Sequence, residues 1–322
     1  MTRRLSPLLL LGLGLLAPAA PSLAQIELAE ARPVPIMQVI PEPDDRATFQ
    51  RDGEPLATYH FGPTLRRPFL YPLNGPAGRS LTRLGHPHDP VTHSHHNSVW
   101  VAHADVNGEN FWEDRGPGRI VHQMILRYDD ADEAATIVAQ NVWIGRGDRV
   151  HLRERRTMTA RPLPEGQWLL TLDLQLDAVS EPATLGKTPF GLVGVRMAKT
   201  IGVHDGGGLI RNSEGHVNEQ GPNGCFRKRA RWVDYAGPIT RTATEGITLF
   251  DHPTNPNHPA PFHVRDDGWM GACLTLDEPI TIRPGEPLRL RYGLFIHSGV
   301  PRRDDLDARW NNFARTSLEK GR

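Results

Sequence analysis

Residues 167–177 read Gln-Trp-Leu-Leu-Thr-Leu-Asp-Leu-Gln-Leu-Asp, and the reading of this stretch decides the fold class. Trp168, Leu170, Leu172, Leu174 and Leu176 fall on one face; Leu169, Thr171, Asp173, Gln175 and Asp177 fall on the other. An extended chain sends successive side chains to opposite sides, so this alternation marks a half-buried strand. Just before it, Pro162-Leu-Pro-Glu-Gly166 is a turn, preceded by an extended segment at 149–160. Gly145-Arg-Gly-Asp148 is a second turn, and 136–144 a further strand. Strands joined by tight turns form an antiparallel meander.

Working outward, further strands are expected at 35–40, 58–61, 68–73, 80–84, 99–103, 120–128, 190–198, 229–235, 246–250, 269–276, 280–282 and 288–297. The one helix expected spans 304–314, where Asp304, Asp305 and Asp307 suit the positive end of the helix dipole. The chain therefore reads as all-β and mainly antiparallel, a large two-sheet sandwich closed by a short C-terminal helix. One domain is expected over 25–316, with a frayed tail at 317–322.

The N-terminus carries Arg3-Arg4, then Leu5 to Ala17 with the apolar run at 8–16, and small residues with prolines up to Ala24. This is the layout of a cleavable secretory signal over residues 1–24. A spanning helix needs roughly 20 apolar residues, and this run is shorter. The expectation is a periplasmic or secreted protein without membrane insertion. Lys plus Arg number 37 and Asp plus Glu 37, so the formal net charge is zero. No basic stripe points to nucleic acid. The two cysteines, Cys225 and Cys273, could pair in an oxidising compartment or remain separate buried thiols.

Histidine is the anomaly, with 15 in the chain. His86, His88, His93, His95 and His96 crowd one proline-containing loop, followed by His103, Asp105, Asn107, Glu109, Glu113 and Asp114. Imidazole is a metal ligand and, near neutral pH, a general acid or base. His86-x-His88 and His93-x-His95 have the spacing that turns two imidazoles the same way from an extended chain. If a divalent metal is bound, His86, His88, His93 and His95 are its expected ligands, although no cofactor is required by the sequence.

A second cluster holds Glu214, His216 and Glu219 in a glycine-containing turn. Beyond it, Trp232 and Tyr235 alternate with charged residues, an arrangement suited to stacking on sugar rings. A third cluster, residues 250–267, carries His252, Asn255, His263, Arg265 and Asp266 among several prolines, and reads as a preorganised loop wall. There is no glycine-rich phosphate loop and no G-x-S-x-G nucleophile elbow.

Residues 92–112, Thr-His-Ser-His-His-Asn-Ser-Val-Trp-Val-Ala-His-Ala-Asp-Val-Asn-Gly-Glu-Asn-Phe-Trp, resemble the signature D-H-P-H-H-R-G-L-W-F-A-H-G-D-V-N-G-x-D-F-W of a bacterial family labelled PmoA-like, a methane-oxygenase name. Stretches 212–235 and 250–266 are similar to later parts of the same family. The chain departs from the signature at Thr92, Ser94, Asn97, Ser98 and Ala104. The resemblance implies an exported β-protein from sugar-utilisation settings, with a supersandwich like that of aldose mutarotases. It carries over His93, His95, His96, His103, Asp105, Asn107, Glu214, Asp234, Asp251, His252, Asn255, His263, Arg265 and Asp266.

The function expected from these readings is a carbohydrate-active enzyme, a hydrolase, lyase or epimerase, acting on a neutral saccharide. Its acid–base pair would come from His95 or His96 and from Glu214 or Asp266, with Arg265 stabilising negative charge. His93, His103, Asp105, Asn107, Trp232, Tyr235, His252, Asn255 and His263 would bind substrate. A non-catalytic sugar-binding protein and a metal-dependent lyase, hydrolase or oxygenase are the alternatives.

Overall fold

The computed structural model describes residues 33–317. The expected signal segment and the residues after Ser317 lie outside that range. From Pro35 onward the described chain packs as one unit.

Five strands open it: β1 (Met37–Glu42), β2 (Arg46–Arg51), β3 (Glu54–His60), β4 (Phe69–Leu73) and β5 (Val99–His103). A meander of long strands follows: β6 (Arg119–Asp130), β7 (Ala135–Ile144), β8 (Val150–Pro162) and β9 (Trp168–Ala178). Next come β10 (Ala183–Leu185), β11 (Gly191–Arg196), the single turn α1 (Val203–Gly206), β12 (Leu209–Asn212), β13 (Lys228–Arg229), β14 (Trp232–Pro238) and β15 (Thr244–Asp251). The chain ends with β16 (Pro261–Arg265), β17 (Trp269–Cys273), β18 (Ile280–Ile282), β19 (Leu288–Ser298) and helix α2 (Arg303–Ala314).

Among the described residues all pairings between strands are antiparallel. A nine-stranded sheet runs β1-β2-β3-β4-β5-β11-β17-β16-β13, and an eight-stranded sheet runs β12-β14-β15-β19-β9-β8-β7-β6. One apolar core spans residues of both sheets, which makes the fold sandwich-like. In β9, the five residues Trp168 to Leu176 of the alternating face are buried. Helix α2 covers Trp232, Phe250 and Phe295 with Leu306 and Phe313, and Asp304 and Asp305 occupy its first turn.

Three expectations change, and one open alternative is settled. Residues 80–84 form isolated bridges instead of a strand. Strands β2, β10 and β12 are additions to the expected set, and the expected strand 229–235 is broken into β13 and β14. Part of the 250–267 cluster, expected to be a loop wall, is strand β16 of the large sheet, in which Phe262 and Val264 alternate with His263 and Arg265 and only Arg265 is exposed. Cys225 and Cys273 are separate, buried, unpaired thiols, and burial pushes both up to about 12.

Candidate functional site

The site grows from the centre of the nine-stranded sheet. Strand register places Trp100 of β5 beside Gly194 of β11, Gly194 beside Gly271 of β17, and Gly271 beside His263 of β16. Paired residues share a face, so these four form one row. The glycines leave room for indoles. A Cβ on Gly194 would lie 2.7 Å from the Trp100 ring, and one on Gly271 would lie 3.0 Å from the Trp269 ring. In the neighbouring row Trp269 pairs with both Arg196 and Arg265.

The histidine loop lies over this face. Its base is closed by the Gly85 N–H donating to His96 O at 2.8 Å and by the Leu84–Asn97 bridge. His96 stacks over Trp100, ring centroids 5.5 Å apart, and over Trp269 at 6.5 Å. His93 lies 4.8 Å from His86 and 5.1 Å from His96, and His95 lies 4.6 Å from His96. Between loop and sheet is a cavity of about 390 Å³. Trp112, Trp269 and the half-exposed Phe190 supply its aromatic wall; His86, His93, His95, His96 and His263 its imidazoles; Arg196, Arg265, Glu113 and Asp267 its charges.

Two imidazoles have fixed roles. His86 Nδ1 accepts the backbone N–H groups of His88 at 3.0 Å and Asp89 at 3.1 Å. Its proton therefore sits on Nε2 and is donated to Asp267 at 2.9 Å. Asp267 in turn accepts from Arg196, which is buried. His93 has the opposite arrangement. Its Nδ1 lies 2.8 Å from the Asp89 carboxylate, which acts only as an acceptor, so Nδ1 carries the proton. The Nε2 lone pair of His93 takes no hydrogen bond from any described residue.

Burial sets the charge state of the others. It lowers His95 to about 4, helped by Arg67, and His263 to about 3, helped by Arg227 and Arg265. His96 falls still further, through burial and then the neighbouring His95 and Arg196, and His86 is also lowered by burial. These four are neutral at pH 7. For Asp267, burial raises the carboxyl, but Arg196 and the His86 hydrogen bond outweigh it and the net shift is downward. Two guanidinium groups and two carboxylates line the cavity, so its charges balance.

Two of the four conditional metal donors are committed elsewhere. Both His86 nitrogens are engaged, and His88, more than half exposed, turns its Nε2 to Asp205 at 2.8 Å. Among the described residues no three His, Cys, Asp or Glu side chains are placed to hold a metal ion. The conditional set His86, His88, His93 and His95 is therefore not assembled, since backbone N–H groups and Asp205 take the positions a metal would need.

Of the residues singled out in the sequence, the cavity gathers His86, His93, His95, His96, Glu113, His263 and Arg265. It does not gather the two proposed carboxylates. Glu214 bonds to Ser213 Oγ and faces Arg231. Asp266 accepts the Glu219 N–H at 3.0 Å. The cavity carboxylates are Glu113 and Asp267, the latter one residue beyond Asp266. Asp267 lies in the turn between β16 and β17, outside both strands, so strand alternation alone would not have selected it.

The intended sugar platform is also corrected. Trp232 is buried beneath α2 and donates to Asp307 at 2.8 Å. Tyr235 is buried, its hydroxyl bonded to the backbone of Val203, Arg265 and Asp266. An amphipathic pattern marks a strand in the sandwich as readily as a stacking surface.

The remaining candidates hold turns together. Buried His103 bonds Thr275 at 2.8 Å, Asp105 accepts the Gly108 N–H at 2.8 Å, and Asn107 accepts the Thr184 N–H at 2.8 Å. Buried His252 bonds Thr254 at 2.8 Å and the carbonyl of Thr316 at 3.2 Å. Asn255 ties Asp251 to the backbone of Arg291, each contact 2.8 Å. Trp112, Phe190, Arg196, Asp267 and Trp269 escape sequence reasoning as site residues because they converge only through strand register and loop closure.

A protein-family model covers residues 46–311. The chain belongs to DUF6807, a family of unknown function. The DUF6807 description carries no activity, and the methane-oxygenase label of the sequence resemblance has no support in it. None of the curated proteins matches this DUF6807 chain.

Among solved structures, a 4-alpha-glucanotransferase from Thermococcus litoralis is similar at a TM-score of 0.33 and 10% identity, over 82% of this chain and 39% of the other. A GalM/aldose epimerase homologue from C. elegans is similar at 0.34 and 7% identity, over 82% of this chain and 99% of the other. A putative kojibiose phosphorylase from the human microbiome is similar at 0.36 and 8% identity, over 88% of this chain and 37% of the other. The DUF6807 chain thus spans under two fifths of the length of the glucanotransferase and the phosphorylase, and likeness of this degree carries no reading of activity.

Proposed function

We propose that this chain is an exported carbohydrate-active enzyme acting on a neutral saccharide in the histidine-walled cavity, with His93 as its general base. The observation that carries the reading is the Asp89–His93 pair: a carboxylate holds the imidazole by Nδ1 at 2.8 Å, leaving the Nε2 lone pair available beside aromatic walls. Such a fixed tautomer suits abstraction of a proton from a sugar C–H or O–H, or from water. The aromatic rings suit the C–H faces of a pyranose, while balanced lining charges favour a neutral ligand over an anionic one. A cavity of about 390 Å³ lies in the range of small-molecule sites. Arg265 stands at the same wall, where it can stabilise developing negative charge.

A saccharide-binding protein without turnover is the second reading. It is favoured by the low proton affinity of His95, His96 and His263, which limits them to neutral hydrogen bonding at pH 7. The two separate in one experiment. The mature protein is incubated with a panel of neutral mono- and disaccharides, and products are followed by chromatography and NMR. Turnover that falls by about 10²–10⁴-fold in His93→Ala, with an unchanged melting temperature, is the expected result. Saturable binding without product supports the second reading, and turnover at the wild-type rate in His93→Ala removes His93 from the chemistry.

A further inference from the structure

We propose that a second groove, between helix α2 and the eight-stranded sheet, binds an organic anion: a carboxylate or phosphate carried on an apolar body. The groove measures about 630 Å³ and is separate from the histidine cavity, with no lining residue in common. It opens on the face of β9 opposite Trp168, Leu170 and Leu172. Leu163 and Leu169 contribute apolar surface to it, over the buried rings of Phe250, Phe295 and Phe313.

Its charge is one-sided. Arg161 from β8, Arg291 from β19, Arg309 from α2 and Arg315 just beyond α2 all line it, against the single carboxylate of Asp173. Arg291 already uses that carboxylate in a two-pronged pair at 2.5 and 2.7 Å. Among the described residues, Arg161, Arg309 and Arg315 form no ion pair. Arg309 lies 4.3 Å from the centroid of the Phe295 ring, which fixes a guanidinium over the apolar floor.

Three like charges around one concavity repel each other, and the repulsion is relieved when an anion enters. Guanidinium groups match the planar oxygen pairs of carboxylate and phosphate. Apolar walls strengthen those contacts by excluding water and favour a ligand with a hydrophobic body. The balanced charge of the histidine cavity gives no such preference, so the two sites select different ligands.

The test is titration calorimetry on the mature chain with phenyl phosphate, benzoate and inorganic phosphate. Phenyl phosphate or benzoate is expected to bind more tightly than inorganic phosphate, and added salt should weaken binding. Arg161→Gln combined with Arg315→Gln, both exposed positions, should raise Kd at least about tenfold with the melting temperature unchanged. Cosedimentation with phosphatidylglycerol vesicles that the double variant loses would assign the anion to a lipid headgroup; binding of phenyl phosphate without cosedimentation would assign a free ligand. No heat with either aromatic anion at millimolar concentration, or affinity unchanged in the double variant, overturns the proposal.

Discussion

Asp89 and His93 are four residues apart, and their side chains meet because the chain turns tightly between them. Thr92 completes the turn: its N–H and hydroxyl both donate to the Asp89 carboxylate. These bonds, those of Thr92 first, hold the Asp89 carboxyl well below the ordinary range, so it stays ionised and keeps the His93 proton on Nδ1. Asp89→Asn should let the His93 ring turn or adopt the other tautomer. The expected outcome is a fall in kcat of about tenfold or more with KM little changed, measured on whichever saccharide turns over. A rise in KM with kcat intact would instead make the pair a binding element.

At the scale of strands, the site depends on residues that carry no chemistry. Gly194 and Gly271 sit under the Trp100 and Trp269 indoles, which in turn support His96. Gly194→Ala puts a methyl group against the Trp100 ring, backed by a packed sheet that cannot easily give way. It should cost about 1–3 kcal/mol by urea unfolding and weaken saccharide binding by displacing the cavity floor. Unchanged stability would show that the indole has somewhere else to go.

For the whole molecule, the buried neutral histidines make stability depend on pH. Burial holds His95 and His103 at about 4 and His263 at about 3 in the folded chain, against about 6.5 when unfolded. As pH falls below about 6.5, the unfolded chain binds protons that the folded chain refuses, so unfolding is favoured. Stability from these groups is present in full above that value and is lost progressively toward pH 4. The melting temperature should therefore fall steadily between pH 6.5 and 4.5, and His95→Asn with His263→Asn should make the decline shallower. An equal slope in the double variant would place the proton uptake elsewhere.

By itself the sequence determined the fold class, the long meander of strands, the terminal helix and the presence of an unusual histidine loop. Each of these rests on local pattern: a period of two along β9, turn residues between strands, acidic residues opening α2, and five imidazoles within one loop. Local pattern falters where segments are short or rich in proline, which is why it reads β16 as loop. Only the tertiary structure decided which chemistry converges. The cavity draws on the loop after β4, the strands β11, β16 and β17, and the segment after β5, and their meeting depends on antiparallel register between residues far apart in the chain. The same register sent Trp232 and Tyr235 into the interior, because alternation says that a side chain has a face, whereas sheet packing decides whether that face meets ligand or core.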